Sequence, residues 1–238
     1  EADLTEMFQG AFTNTGSTDA TLTLADFAQG ERADLTRFAE GSGLHEVTLT
    51  NVGSGAGANL TDAFKDSLHI YKVAATGFGA GADANMTSAF AGVGTDTVAT
   101  PSVSLVDAGV GGGAVADSMF QGAFTDASKA AQVSITKTGS ALPLASAQGM
   151  FARGDDASSG LHASVLDLTG IAGVDGSMDK FAYGASGIQE ITQNGSAATG
   201  QMVFASDFTF EGVTSAKQAF AQMNDVAQVE LAGVTAGV

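Results

Sequence analysis

One short phrase returns through the whole chain: a Leu, Met or Ala, then Thr or Asp, and a phenylalanine two or three residues later. It reads EADLTEMF at 1–8, GANLTDAF at 57–64, DANMTSAF at 83–90, AVADSMF at 114–120 and DGSMDKF at 175–181. Anchored on its phenylalanine, the phrase marks Phe8, Phe38, Phe64, Phe90, Phe120, Phe151, Phe181, Phe204 and Phe220. A mean spacing of about 26 residues is the period of a solenoid, in which each unit buries its apolar face only against its neighbours.

Between anchors lie short runs of alternating or β-branched residues. They are TLTL (21–24), VTLT (47–50), IYKV (70–73), SVSL (102–105), VSIT (133–136), SVLDL (164–168), IQEIT (188–192), FTF (208–210) and VEL (229–231). Period-two alternation over so few residues predicts one strand per unit. From the last inward strand residue to the next anchor the count stays between 13 and 17, apart from 10 in the last unit. The stretch from anchor to following strand varies more widely. One half of the unit is therefore held by stacking, and the other absorbs insertions as loops. A Thr, Asp or Asn just before an Ala/Met/Phe run predicts an N-cap on a helix of one or two turns. The glycines at 10, 41, 92, 122, 154 and 184 suit its exit.

The expected fold is therefore an α/β solenoid: a right-handed, leucine-rich-repeat-like coil with one short parallel strand and one short helix per repeat. About nine repeats make residues 1–238 a single uncapped solenoid. RFAEGSGLHEVTLTNVGSGAGANLTDAF (37–64) resembles the repeat of BspA-type leucine-rich-repeat surface proteins, with Leu44, Val47, Leu49, Thr50, Asn51, Leu60, Thr61 and Phe64 in matching places. MFQGAF, at 7–12 and 119–124, resembles its helix–loop part. The resemblance implies a secreted or cell-surface solenoid, often adhesive, without catalytic residues. Unit length varies, and the aromatic residue that usually follows the strand is mostly missing.

The last strand, VEL, is followed by AGVTAGV and no anchor, whereas the N-terminus opens on an anchor phrase with no strand before it. Read across the join, Leu231 to Phe8 is 15 residues, the same as Leu49 to Phe64. ANLTDAF (58–64) also aligns with ADLTEMF (2–8) without a gap. A head-to-tail contact that does not close on itself makes a filament. The expected interface sets Ala2, Leu4, Met7 and Phe8 against Phe220, Met223, Val229, Leu231 and Val234 of a preceding copy. A segment cut in phase from a longer repeat array would share this reading.

Composition decides which partners are excluded. With 26 acidic and 9 basic residues the net charge is −17, which sets the chain against phosphate backbones and so against nucleic acid. No run approaches the ~20 apolar residues that span a bilayer, so no membrane insertion is expected. Absence of cysteine removes disulfide and thiol chemistry. A first residue other than Met suggests a processed, secreted product at the cell surface.

His45, His69 and His162 each precede a strand in the same register, which invites a metal column. Solvent-facing histidines at a sheet edge are the simpler reading, and no metal is expected. GDDASSG (154–160) and GADAN (81–85) lack the spacing of calcium loops. GVGGGAVADS (109–118) lacks the Lys-Ser/Thr of a phosphate loop. Asn59, Asn85 and Asn194 open Asn-x-Ser/Thr triplets, the first two in a capping position. With no nucleophile–base arrangement, neither an enzyme nor a cofactor is indicated. The chain reads as a fibre subunit whose partner is itself. The alternative is an adhesin binding glycan or a host or cell-surface protein through the variable loops 11–20, 91–101, 121–131 and 152–163.

Overall fold

The computed structural model describes residues 1–13, 20–77, 79, 83–94, 99–107, 113–126, 128–154, 160–187, 190–192, 201–204, 208–223 and 228–230. In chain order the strands are β1 (Ala2–Asp3), β2 (Thr21–Ala25), β3 (Ala33–Asp34), β4 (Glu46–Thr50) and β5 (Ala58–Asn59). There follow β6 (Lys72–Thr76), β7 (Ala84–Asn85), β8 (Ser102–Val106), β9 (Ala131–Thr136) and β10 (Leu142–Leu144). The last are β11 (Ala163–Leu168), β12 (Ile171–Val174), β13 (Glu190–Thr192), β14 (Gln201–Phe204) and β15 (Gln228–Glu230). The molecule is a parallel β-solenoid. Its main sheet has nine strands in the order β15-β13-β14-β11-β9-β8-β6-β4-β2, and a second sheet has four, β1-β3-β5-β7.

From β2 through β4, β6 and β8 to β9, five-residue stretches pair without a register shift. Alternation explains this: Val47 and Leu49 point inward at 0% and 1% exposure, and Val73 and Ala75 at 1% each, while the residues between them face out. A slip of one residue would turn the whole apolar set to solvent. The strand expected at 70–73 forms two residues later, so Val73 and Ala75 are its inward residues.

The expected helix in each repeat is corrected: among the described residues there is none. The anchor phrase instead forms a ladder of tight turns. Numbered from Leu35, the fourth, sixth and eighth amides close back three residues: Phe38 to Leu35, Glu40 to Arg37, and Ser42 to Ala39. The third, fifth and seventh leave the coil, Arg37 donating to Thr61 O, Ala39 to Ala63 O and Gly41 to Lys65 O. The same alternation recurs from coil to coil. It requires a left-handed third residue, found at Glu6, Arg37, Asp62, Ser88, Ser118, Gly149, Lys180 and Gln218 with φ between 53° and 62°. A left-handed residue every turn breaks the i to i−4 ladder of a helix, which would also keep all the amides within one coil.

The polar residues read as helix caps serve these turns. Oδ1 of Asp34, Asn59 and Asn85 accepts from both the amide and the hydroxyl of Thr36, Thr61 and Thr87. These are Asx turns, the local alternative to a helix for such side chains.

Inside the ladder the phenylalanine takes one of two slots. Phe64, Phe90, Phe120 and Phe151 occupy the fifth position, and their rings stack at 5.3, 5.3 and 5.6 Å with interplanar angles of 10°, 10° and 6°. Phe38 and Phe181 occupy the fourth, leaving Ala39 and Ala182 in the fifth. Their contacts with Phe8, Phe64 and Phe151 turn edge-on, at 86°, 88° and 86°. Both arrangements suit the aromatic quadrupole.

The C-terminal part departs from simple stacking. Strand β14 inserts between β11 and β13, so Phe204 lies in a strand beside Leu168 and not in a ladder. QMVF has the β-branched, apolar character of a strand and lacks the polar pair that opens a ladder. FTF (208–210) makes only an isolated bridge, Gly173 to Thr209.

Phe120 is fully buried between two stacked rings, so Phe120→Ala should cost about 3–5 kcal/mol in denaturant unfolding. At Ser88, φ 53°, glycine should stabilise by up to about 1 kcal/mol and valine destabilise by about 1–2 kcal/mol, both read from urea midpoints.

Candidate functional site

The expected interface residues fall at two ends of the stack. At one end Ala2 pairs with Ala33 in the edge strand β1, and Leu4 donates its amide to Asp34 O. Leu4 and Phe8 are half-buried, packed on the core from one side. Met7 is 58% exposed and neighbouring Phe12 40%. The inward pair of β2, Leu22 and Leu24, is also half-buried, against 0% and 1% for Val47 and Leu49 one coil further in. Phe27 joins them. These three belong to the same face and were not singled out, although Leu22 and Leu24 stand in a recognised strand run.

At the other end Phe220 and Met223 are half-buried against the core. Phe220 meets Phe181 at 6.0 Å, and Phe210 and Val213 lie partly buried there too. Val229 lies in β15, the opposite edge of the main sheet, with its backbone beside Ile191. Leu231 and Val234 fall outside the described residues. Phe8 and Phe220 occupy the same fifth ladder position at the two ends of one column.

The backbone at these ends is polar in a directed way. In each ladder the outgoing amides donate to the following coil: Glu6, Phe8 and Gly10 give to Thr36 O, Phe38 O and Glu40 O. Lys180, Ala182 and Gly184 likewise give to Lys217 O, Ala219 O and Ala221 O. Among the described residues, Thr5 O, Met7 O and Gln9 O therefore accept no ladder bond, and the amides of Gln218, Phe220 and Gln222 donate none. One end presents acceptors and the other donors, at matching positions.

Around the first end a charged network braces the outer surface. Arg37 donates from Nε to Glu40 (2.5 Å) and from Nη1 to Glu6 (2.6 Å), and Gln9 Nε2 donates to Glu40 at 2.8 Å. Burial pushes the Glu40 carboxyl up, but the Arg37 and Gln9 hydrogen bonds outweigh it and hold the group below its ordinary value. Asp3 is lowered by the Thr5 hydroxyl and amide, Glu46 by Lys72 and Tyr71, and Asp179 by the Ser215 hydroxyl and the Lys217 amide.

The other candidates resolve as follows. His45 and His69 do stack, at 5.4 Å and 15°. His45, however, is buried and accepts the Ala20 amide at Nδ1, not solvent-facing as expected. His162 Nδ1 pairs with Ser186 Oγ at 2.8 Å. Among the described residues no three His, Asp or Glu side chains cluster as metal ligands. Asn59 spends its side-chain amide on Thr36 Oγ1. Asn194 and residues 155–159 and 108–112 lie outside the described residues. No helix among those described is long and apolar enough to cross a membrane.

Because these carboxylates are lowered in the folded chain, the unfolded chain binds more protons in acid. Their stabilisation is full above the unfolded value of about 4 and is lost as pH falls through the lower folded values. In about 0.5 M salt, which screens the general self-repulsion, the melting temperature should hold from neutral pH to about 5 and drop steadily below 4. No family model, curated protein or solved structure matches the chain.

Proposed function

We propose that the chain is a structural subunit of an extracellular filament or surface fibre, growing head-to-tail by stacking of solenoid ends. The observation that carries this reading is the complementarity of those ends. Amides at Gln218, Phe220 and Gln222 match carbonyls at Thr5, Met7 and Gln9, one ladder step apart. A contact made this way is heterologous, so it propagates. It would seat Phe220 and Met223 on Leu4, Met7 and Phe8, converting half-buried side chains into core and pairing two open strand edges. Val229, in the edge strand β15, would continue the main sheet onto β2 of the next copy. Its resemblance to BspA-type surface repeats agrees with a secreted, non-enzymatic role without a cofactor.

A second reading, an adhesin module that binds glycan or protein, is favoured by one observation. A polar groove with a basic and aromatic lining lies over the ladders of Phe120, Phe151 and Phe181.

Electron microscopy of the purified chain, with intact-mass measurement, tests the first reading. About nine coils at ~4.8 Å each predict unbranched fibres with an axial repeat of roughly 40–45 Å. Phe8→Asp, at a half-buried end position, should abolish the fibres and leave a folded monomer. A wild-type chain that remains monomeric at high concentration overturns the proposal.

A further inference from the structure

The hollow just mentioned has a simple cause in the sequence. The Phe151 ladder carries Gly149 and Ala152 at its third and sixth positions, where the flanking ladders carry Ser118 and Gln121 on one side and Lys180 and Tyr183 on the other. A missing side chain and a single methyl make the floor, and longer neighbours make the walls of a cavity of about 430 Å³. That volume falls within the roughly 300–1,000 Å³ of small-molecule sites.

Its charge is unusual for this chain. The Arg153 guanidinium lies 4.9 Å from the centre of the Tyr183 ring and Lys180 Nζ 5.6 Å. Arg153 Nη2 also donates to the Tyr183 hydroxyl at 3.3 Å. Among the described residues neither cation has a carboxylate partner. Asp117, the carboxylate on the wall, already accepts from Ser146 Oγ and the Gln148 amide. In the same columns near the N-terminus, Arg37 lies between Glu6 and Glu40, and Lys65 faces Asp62. Acidic residues outnumber basic ones 26 to 9, yet here two cations share one aromatic ring, and among the described residues no carboxylate pairs with either.

We propose that this hollow binds an acidic saccharide. The carboxylate or sulfate of one sugar unit sits between Arg153 and Lys180, where a forked guanidinium and an ammonium supply donors. Tyr183 walls the ring, and Gln121 and Gln148 serve its hydroxyls, groups that an inorganic anion lacks. The net charge of −17 repels polyphosphates and nucleic acid strands, which selects ligands with little charge per unit length. The proposal deepens the second reading above and is independent of end-to-end assembly, since an outward groove and the stack ends are different surfaces. Fibre imaging and saccharide titration therefore succeed or fail separately.

The test is calorimetric titration of the full chain with four probes: a glucuronate-containing disaccharide, a sulfated disaccharide, neutral cellobiose and inorganic sulfate. At least one acidic disaccharide should bind about tenfold or more tighter than cellobiose and than sulfate, and the better of the two identifies the acid. Arg153→Gln and Tyr183→Ala should each weaken binding about tenfold, as expected for loss of a charge-assisted or stacking contact. Gly149→Asn keeps both cations but fills the floor. A Cβ there meets nothing nearer than 3.5 Å, and Asn tolerates a left-handed backbone better than most residues, so the fold should survive with a melt only a few degrees lower and binding should be lost. Equal binding of acidic and neutral disaccharides, or wild-type affinity in Gly149→Asn, overturns the proposal.

Discussion

Every second amide of the anchor ladder leaves its own coil, and the rest of the solenoid depends on that. The strand of each unit is tied to its neighbour in the main sheet, and the alternating amides tie the opposite side in the same way. Two hydrogen-bonded columns hold each coil at strand spacing on both sides, so the interior between them has a set height. The cost is a left-handed residue at the third position of each ladder, and in most ladders another at the seventh, about 1–2 kcal/mol each where it is not glycine. From Glu6 to Lys180 each such residue donates its amide to a carbonyl of the next coil, a pairing that helps offset the cost.

With the height set, side-chain volume is the remaining variable. Each ladder offers a fourth and a fifth position to the core, and one phenylalanine fills one of them. Where it takes the fourth, Ala39 or Ala182 fills the fifth. Where it takes the fifth, Ala or Met fills the fourth. Ring orientation follows from the slot: like slots in succession stack face to face, and a change of slot turns the contact edge-on.

The main strands, the repeat period and the inward Phe column were legible in the sequence because each rests on a local pattern: alternation for strands, spacing for stacking. The ladder was not. Met-Thr-Ser-Ala-Phe has the composition of a capped helix, and only the neighbouring coil's carbonyls turn it into a row of turns. The two-residue strands at Ala33, Ala58 and Ala84 carry no alternation to read. Phe204 misled the count because a phenylalanine at suitable spacing was weighed above the polar pair that its phrase lacks. At the ends, Phe8 and Phe220 were readable as a matched column. The donor and acceptor rows beside them belong to the backbone and have no sequence signal. The hollow over Gly149 was missed because it arises from what three successive coils place side by side.

Since a coil touches only the one before and the one after, damage stays where it occurs. Heat or pulling would peel turns from the extremities, whose cores are half-covered, before reaching the stacked rings of Phe64 to Phe151. A rupture in the middle would leave two shorter springs, each still wound.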